Sequence, residues 1–317
     1  MKAMVLPKFG EAGQFEMREI NKPEPSKGEV LVKIIASGTN PVDAKIRANG
    51  SWAGITPPVV LGYDAAGIIE KTGEGVEGFK EGDEVFYTPV IHNNQLGTYA
   101  QYNVVNASII AKKPDGISFE EAAAIPLAGG TAWEAVIRKI KIRAGEIILI
   151  QGAAGGVGSY AVQFAKVSGA RVIATASQNH HEFLNDLGAD VVIDYRDNDN
   201  VIQTVMDETN GEGADAVFDI QGEEVISRCL PAVKQSGRMS CILPPKGDLR
   251  ALNYKNVTLY GVFLVRESKR LREMSPLFTN GQVHSVIDKT LPMKDVSKAH
   301  KRLDSQHGKG KIVLRIE

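Results

Sequence analysis

The chain has 317 residues, a net charge of −1, 43% hydrophobic and 24% charged residues. At about 150 residues per domain the length suggests two domains, and the near-zero charge gives no electrostatic case for nucleic acid or an anionic membrane surface. No apolar run approaches the roughly 20 residues that span a bilayer, which leaves a water-soluble chain with no membrane partner as the expectation.

The opening "MKAMVLPKFG" turns polar too soon for a secretion signal and reads as a first strand. Residues 1–121 are rich in short β-like runs broken by Gly and Pro, such as "EVLVKIIASGTN", "DAAGIIEKTG" and "DEVFYTPV". Gly73, Gly75, Gly78 and Gly82 punctuate one of them. Such a series predicts a β-rich, partly barrel-like domain. At Ser118 the pattern changes. Ser118 with Glu121 has capping-box spacing and opens a helix that Pro126 interrupts, with a second helix from near Gly130.

The stretch "EIILIQGAAGGVGSYAVQFAKVSGARVIATAS" follows. An apolar run at 147–150 predicts a buried strand, and Gly152, Gly155, Gly156 and Gly158 make a tight turn. Val162, Phe164, Ala165 and Val167 then recur with helical periodicity, and a second apolar run occupies 172–175. Strand, glycine turn, helix and strand in this order are the layout of a dinucleotide-binding βαβ unit. Glycines there allow positive φ, close approach to a pyrophosphate and tight helix packing, while the helix start offers free N–H groups. "VVIDY" (191–195), "DAVFDI" (215–220) and "RMSCIL" (238–243) read as further strands, with "NVIQTVMDETN" and "EVISRCLPAVKQSG" as helices. The alternation predicts an α/β, doubly wound parallel sheet. "NVTLYGVFLV" (256–265) reads as its edge strand, an invitation to pair with a second copy in a homodimer. The chain then returns to the first domain through the helix "ESKRLREMSPLFTNG" and a last strand, "KIVLRI" (311–316). The expected division is 1–121 with 265–317, and 122–264 inserted between them. Cys229 and Cys241, the two cysteines, make no disulfide framework and suit a reducing, cytoplasmic setting.

An NAD-type Rossmann unit carries an acid about 20 residues past the glycine turn to bind the ribose 2′-hydroxyl. Ala176, Ser177 and Gln178 stand there instead. The missing carboxylate permits a 2′-phosphate, so NADPH is the expected cofactor. Ser177 either donates to that phosphate or caps the next helix, and His180 or His181 can add partial positive charge. No strongly basic residue stands at that strand end.

Seven segments together carry a wider resemblance: "SGTNPVDAKIRANG", "PPVVLGYDAAGIIEKTGEGVEGFKEGDEVF", "GTYAQYNVV", "AAAIPLAGGTAWEAV", "GAAGGVGSYAVQFAK", "LGADVVIDY" and "GKGKIVL". In them the chain resembles the medium-chain dehydrogenases/reductases, in the zinc-free quinone oxidoreductase and enone reductase branch. The resemblance implies a GroES-like β domain and an inserted Rossmann domain, with the active site in the cleft between them. Zinc-dependent relatives carry a Cys, a Gly-His-Glu segment and a four-cysteine lobe. Here Asn40 and Gly62-Tyr63-Asp64 stand at the first two places, and no cysteine lies between Val85 and Tyr99. His92 and His284 are isolated, His180 and His181 point apart, and His300 and His307 lie in polar, Lys-rich sequence. Asp43 and Asp64 without His or Cys make a poor zinc site, so no metal is expected.

The same resemblance places the nicotinamide half near Asn40, Val42 and Thr131, and the pyrophosphate over Ala154, Gly155, Gly156 and Val157. It puts Tyr195 by the adenosine phosphate and lines the later strands with Gly222, Leu243, Phe263 and Val265. Lys311 either reaches the cofactor or is a plain surface lysine. The expected reaction is hydride transfer from NADPH to a quinone or an α,β-unsaturated carbonyl, whose conjugation spreads charge to an oxygen that hydrogen-bond donors can hold. Asn40, Trp52 and Tyr63 are the candidate catalytic residues. The alternatives are Trp52 and Tyr63 as core, Asn40 as a turn former, and Asp43 with Arg47 as a structural ion pair. Rival functions are an NADPH-binding protein of this fold with little catalysis, a zinc-free alcohol dehydrogenase-like enzyme, and a trans-acting enoyl reductase of polyketide type.

Overall fold

The computed structural model describes residues 1–196, 198–305 and 308–317, which leaves His307 outside the described residues. The chain divides into two units, Met1–Ala128 with Val265–Glu317, and Gly129–Leu264.

In the first unit the strand Glu29–Gly38 is buried along most of its length and pairs antiparallel with three others: Ala65–Thr72, Tyr102–Asn106 and Lys311–Arg315. One strand can serve three partners because Tyr102–Asn106 and Lys311–Arg315 take different stretches of it, residues 29–33 and 36–38. Its pairing with Ala65–Thr72 shifts register between Leu31 and Val32 and again between Ile34 and Ala36, and such bulges add curvature. The resulting seven-stranded sheet runs from Ile287–Pro292 at one edge to Ile110–Lys112 at the other. A three-stranded sheet pairs Lys2–Leu6 with Glu16–Glu19 and Val59–Val60. Leu6, Val32, Ile34, Ile46, Tyr63 and Tyr99 belong to the core of this unit. Two local features position the chemistry. Pro41 opens the helix Pro41–Ala48, where a missing N–H costs nothing. The C-terminal strand pairs Val313 with Gly38 and Leu314 with Ser37; continued antiparallel by two residues, that register brings Lys311 opposite Asn40.

The second unit is a six-stranded parallel sheet. Its order is Val191–Asp194, Arg171–Ala176, Ile147–Gln151, Ala214–Asp219, Val233–Cys241 and Thr258–Gly261. Counted along the unit this is 3-2-1-4-5-6, with the reversal beside the first strand, where such sheets bind ligands. The inner strands Ile147–Gln151 and Arg171–Ala176 are buried along nearly their whole length, as a sheet covered on both faces requires. The helix Gly156–Val167 buries Tyr160, Val162 and Phe164, and Trp133 meets Phe164 edge to face at 5.1 Å.

Three expectations change. The Ser118–Glu121 capping box forms and starts the helix Phe119–Ala124. Pro126 then begins the next helix, Pro126–Ala132, which continues as wider turns over Trp133–Ile140. That helix starts ahead of Gly130 because proline is tolerated in a first turn. The helix expected over 224–237 is one turn, Val225–Arg228, and a 3-10 turn, Leu230–Ala232. Pro231 lacks the N–H a helix would need, and the chain enters the strand Val233–Cys241, with Ser236 at positive φ. The edge strand covers only Thr258–Gly261, and Phe263 and Val265 beyond it are 70% and 67% exposed.

Candidate functional site

The glycine turn of the second unit is built by exclusion. Gly152 has φ +75, and a Cβ there would collide with the Gln221 amide. A Cβ on Gly158 would lie 2.5 Å from the Ala153 Cα and carbonyl oxygen, so only glycine lets the helix pack on the turn. Gly155 caps the helix, and its Cβ direction is open, with nothing nearer than 3.8 Å. The first intrahelical bond runs from Ser159 N–H to the Gly155 carbonyl at 2.9 Å. The N–H groups of Gly156, Val157 and Gly158 therefore lie ahead of the helical ladder, at the positive end of a twelve-residue helix. Donor set and open approach both fit a dinucleotide pyrophosphate.

The supports of this turn escape a reading of motifs. Thr175 Oγ1 accepts from Gly152 N–H at 3.2 Å and donates to Gln151 Oε1 at 2.6 Å, tying the second strand to the turn. Gln151 Nε2 donates to Cys229 Sγ at 3.0 Å. Burial pushes the Cys229 thiol up to about 12, so it stays protonated and unreactive. Buried Asp219 accepts from the N–H groups of Gln221, at 2.8 Å, and of Gly222, and so shapes the turn after the fourth strand. An acid three residues before a glycine at a strand end was the available signal. Gly222, at φ +77, lies directly against Leu243; the two were expected in one site and the fold brings them together.

At the ends of the second and third strands Ser177 is half-buried, and its Oγ lies 3.2 Å from His180 Nδ1. Ser177 makes no capping bond to the turn that follows it. Tyr195 is 53% exposed, and Thr131 is buried.

The first unit holds a buried polar cluster. Lys311 Nζ donates to the Thr39 carbonyl at 2.7 Å, to Asn40 Oδ1 and to Asp64 Oδ2 at 3.3 Å. Asn40 Nδ2 donates to Asp64 Oδ2 at 2.9 Å, and Leu127 N–H donates to Asp64 Oδ1 at 2.8 Å. Lys311 is thus a buried clamp on Asn40 and not the plain surface lysine that was one of its two expected roles. Asn40 has its carbonyl and one amide hydrogen committed, which leaves one N–H to offer. Burial raises the Asp64 pKa, against the pull of Lys311 and Asn40.

Asp43 sits beside this clamp and does not pair with Arg47. Its Oδ2 accepts from Asn40 N–H at 2.7 Å and from the Tyr99 hydroxyl at 2.8 Å, while its Oδ1 is buried without a partner. Burial raises its pKa to about 7. Arg47 turns to Asp304 at 2.9 Å, the Gly10 carbonyl at 3.0 Å and His300 Nδ1 at 3.3 Å. His300 is a packed core residue whose pKa burial lowers to about 3, with Arg47 adding to the shift. Tyr63 is fully buried with an unpartnered hydroxyl that burial keeps protonated. Trp52 is not core. It lies on the turn Ser51–Ala53, 55% exposed, with its ring edge to face with His92 at 5.9 Å. Val42 is half-buried on the helix after Asn40. Among the described residues no three His, Cys, Asp or Glu side chains gather as a metal set.

Two family profiles match the chain: the alcohol dehydrogenase GroES-like domain over residues 26–115 and the zinc-binding dehydrogenase over residues 187–314. The chloroplastic NADPH-dependent alkenal/one oxidoreductase of Arabidopsis thaliana is 34% identical over 99% of this chain and 79% of its own length. The chloroplast envelope quinone oxidoreductase homolog of the same plant is 31% identical over 96% of this chain and 95% of its own. Among solved structures, an NAD-dependent alcohol dehydrogenase superposes with a TM-score of 0.93 at 30% identity, covering 100% of both chains.

Proposed function

Since this chain belongs to the medium-chain dehydrogenase/reductase superfamily, in its quinone oxidoreductase and enone reductase branch, and is an oxidoreductase, we propose that it is an NADPH-dependent, zinc-independent reductase of quinones or α,β-unsaturated carbonyls. The observation that carries this reading is the composition of the Asn40 cluster. Where zinc relatives hold ligands, this chain has an amide, a phenol and a carboxylate, with the Lys311 ammonium bonded to the amide and the carboxylate. An internal cation already satisfies the charge of Asp64, and among the described residues no Cys or His joins it in a metal set.

The bound dinucleotide supplies the hydride. Gly156, Val157 and Gly158 would hold its pyrophosphate by N–H groups, and Gly222 with Leu243, packed together at later strand ends, would line the same site. In the first unit Asn40 offers its remaining amide N–H to an oxygen that gains charge. Lys311 and Asp64 fix which way that amide faces, so the donor is oriented before the acceptor arrives. Tyr63 retains its proton and is the candidate donor of it, and Trp52 offers a flat apolar wall. A carbonyl without conjugation would need a stronger electrophile than one amide, which favours a conjugated acceptor over a simple alcohol or ketone. We further read the protein as a cytoplasmic homodimer. The strand Thr258–Gly261 lies at the sheet edge with only part of its surface covered, and light scattering at the mass of a monomer would refute the pairing.

The test is NADPH oxidation, followed optically with a panel of quinones and short and long enones, with NADH alongside and a chelator throughout. Turnover that survives the chelator supports the reading and selects the acceptor. Stoichiometric NADPH binding with no turnover on any acceptor favours a binding protein instead. Loss of turnover with chelator, restored by zinc, refutes metal independence.

A further inference from the structure

The second and third strands of the parallel sheet end side by side, and their register pairs Ala176 with Asp194. The acid missing after the glycine turn is therefore present one strand over. It is not free. The Asp194 carboxylate accepts from Arg196 Nε at 2.8 and 3.0 Å, from the Arg196 terminal nitrogen, and from the Arg196 backbone N–H at 3.0 Å. This fork holds the carboxyl well below the usual carboxylate range. The pair is open to solvent: the Arg196 side chain is 63% exposed and that of Asp194 26%. Exposed pairs of this kind add little stability, so the guanidinium is free to exchange one anion for another. Ser177 with His180, the half-buried ring of His181 and exposed Tyr195 complete the rim. All of these residues belong to one unit.

We infer that Arg196 recognises the 2′-phosphate of the dinucleotide and that Asp194 is the competing anion that limits the preference. The inference rests on the NADPH reading and names the residue responsible for it. A planar guanidinium matches phosphate oxygens bidentately, and a dianionic phosphate outcompetes a monoanionic carboxylate for it. When Arg196 turns to the phosphate, Asp194 is left two residues away as a bare like charge. The gain and the repulsion oppose each other, so NADPH is favoured only moderately. With NADH there is no phosphate, and Arg196 stays on Asp194. The basic residue absent from the second strand is thus supplied by the third.

The test measures dissociation constants for NADPH and NADH by nicotinamide fluorescence at fixed ionic strength, with 2′-AMP as a competing fragment. R196A is expected to weaken NADPH and 2′-AMP about tenfold and leave NADH within about twofold. R196K should fall between, since a lysine keeps the charge and loses the fork. D194N keeps an acceptor for the Arg196 backbone N–H and should tighten NADPH by roughly threefold to tenfold, with NADH unchanged. Wild-type preference for NADH would overturn the cofactor reading itself. Wild-type preference for NADPH with R196A weakening both cofactors equally would overturn the inference alone. So would a D194N protein that loses NADH affinity, because Asp194 would then be accepting from the ribose hydroxyl.

Discussion

Asp43→Asn tests the buried cluster where its energetics are largest. Asp43 is fully buried, and it faces the Tyr99 hydroxyl, the Asn40 N–H, the Lys311 ammonium and the Asp64 carboxylate. Burial dominates and raises its pKa from 3.8 to about 7. A carboxyl with a raised folded pKa holds its proton where the unfolded chain has released it. Its contribution to stability is complete below pH 3.8 and is lost as pH rises through about 7. That window spans about three pH units at 1.36 kcal/mol each, on the order of 4 kcal/mol. Asparagine does not titrate, still accepts from Asn40 and Tyr99, and removes the window. Urea denaturation of both proteins between pH 4 and 8 reads the difference directly. The wild type should lose stability relative to D43N as pH rises, and the two curves should diverge most above pH 7. Carboxylates remote from Asp43 titrate alike in both proteins and cancel in the difference, which leaves Asp43 and its coupled neighbour Asp64 as its source. Parallel curves across the whole range would show that Asp43 is ionised in the folded protein throughout, and the reasoning from burial would be wrong.

Lys311→Met removes the partner of a fully buried carboxylate and should cost about 3–5 kcal/mol in thermal or chemical denaturation. Adding Asp64→Asn should recover part of that loss, and a double variant no more stable than the single one would argue against the pairing. Gly158→Ala drives a Cβ to 2.5 Å from the backbone of Ala153, which cannot rotate aside. The expected cost is about 1–3 kcal/mol, with a fall in NADPH affinity seen by fluorescence titration; unchanged affinity would contradict the tight helix–turn contact. Tyr63→Phe deletes an unpartnered buried hydroxyl, so stability should hold or rise by about 1 kcal/mol. Turnover should fall, and turnover that stays level or rises would eliminate Tyr63 as a proton donor.

The periodic parts of this chain were legible in its sequence. The run "EIILIQGAAGGVG" carries its own strand, its own turn and the start of its own helix, because each depends on residues within a few positions. The capping box at Ser118 was legible for the same reason. Pro126 and Pro231 were harder, since a proline both ends and begins helices. The first opens the helix Pro126–Ala132 and the second precedes the strand Val233–Cys241. The glycine ladder pointed to the phosphate turn but not to Thr175, Gln151 and Asp219 that brace it, whose partners are set by strand neighbours far away in sequence.

The side chains around Asn40 mark where local reasoning stops. Asn40 and Lys311 are 271 residues apart and meet because the last strand closes antiparallel on Glu29–Gly38. Nothing near Lys311 in sequence distinguishes it from a solvated lysine; only the register does. Asp43 and Arg47, one helical turn apart, looked like an ion pair by spacing. Tertiary partners drew them apart, the acid to Tyr99 and the base to Asp304. The same logic governs the cofactor end. A search along the second strand for an acid or a base finds neither, yet Ala176 lies in register with Asp194, and the strand that carries Asp194 also delivers Arg196. In a parallel sheet the ends of neighbouring strands form one continuous rim. A recognition residue for the cofactor can then enter from the third strand at no cost to the second, and the D194N and R196A affinities are the measurements that decide whether it does.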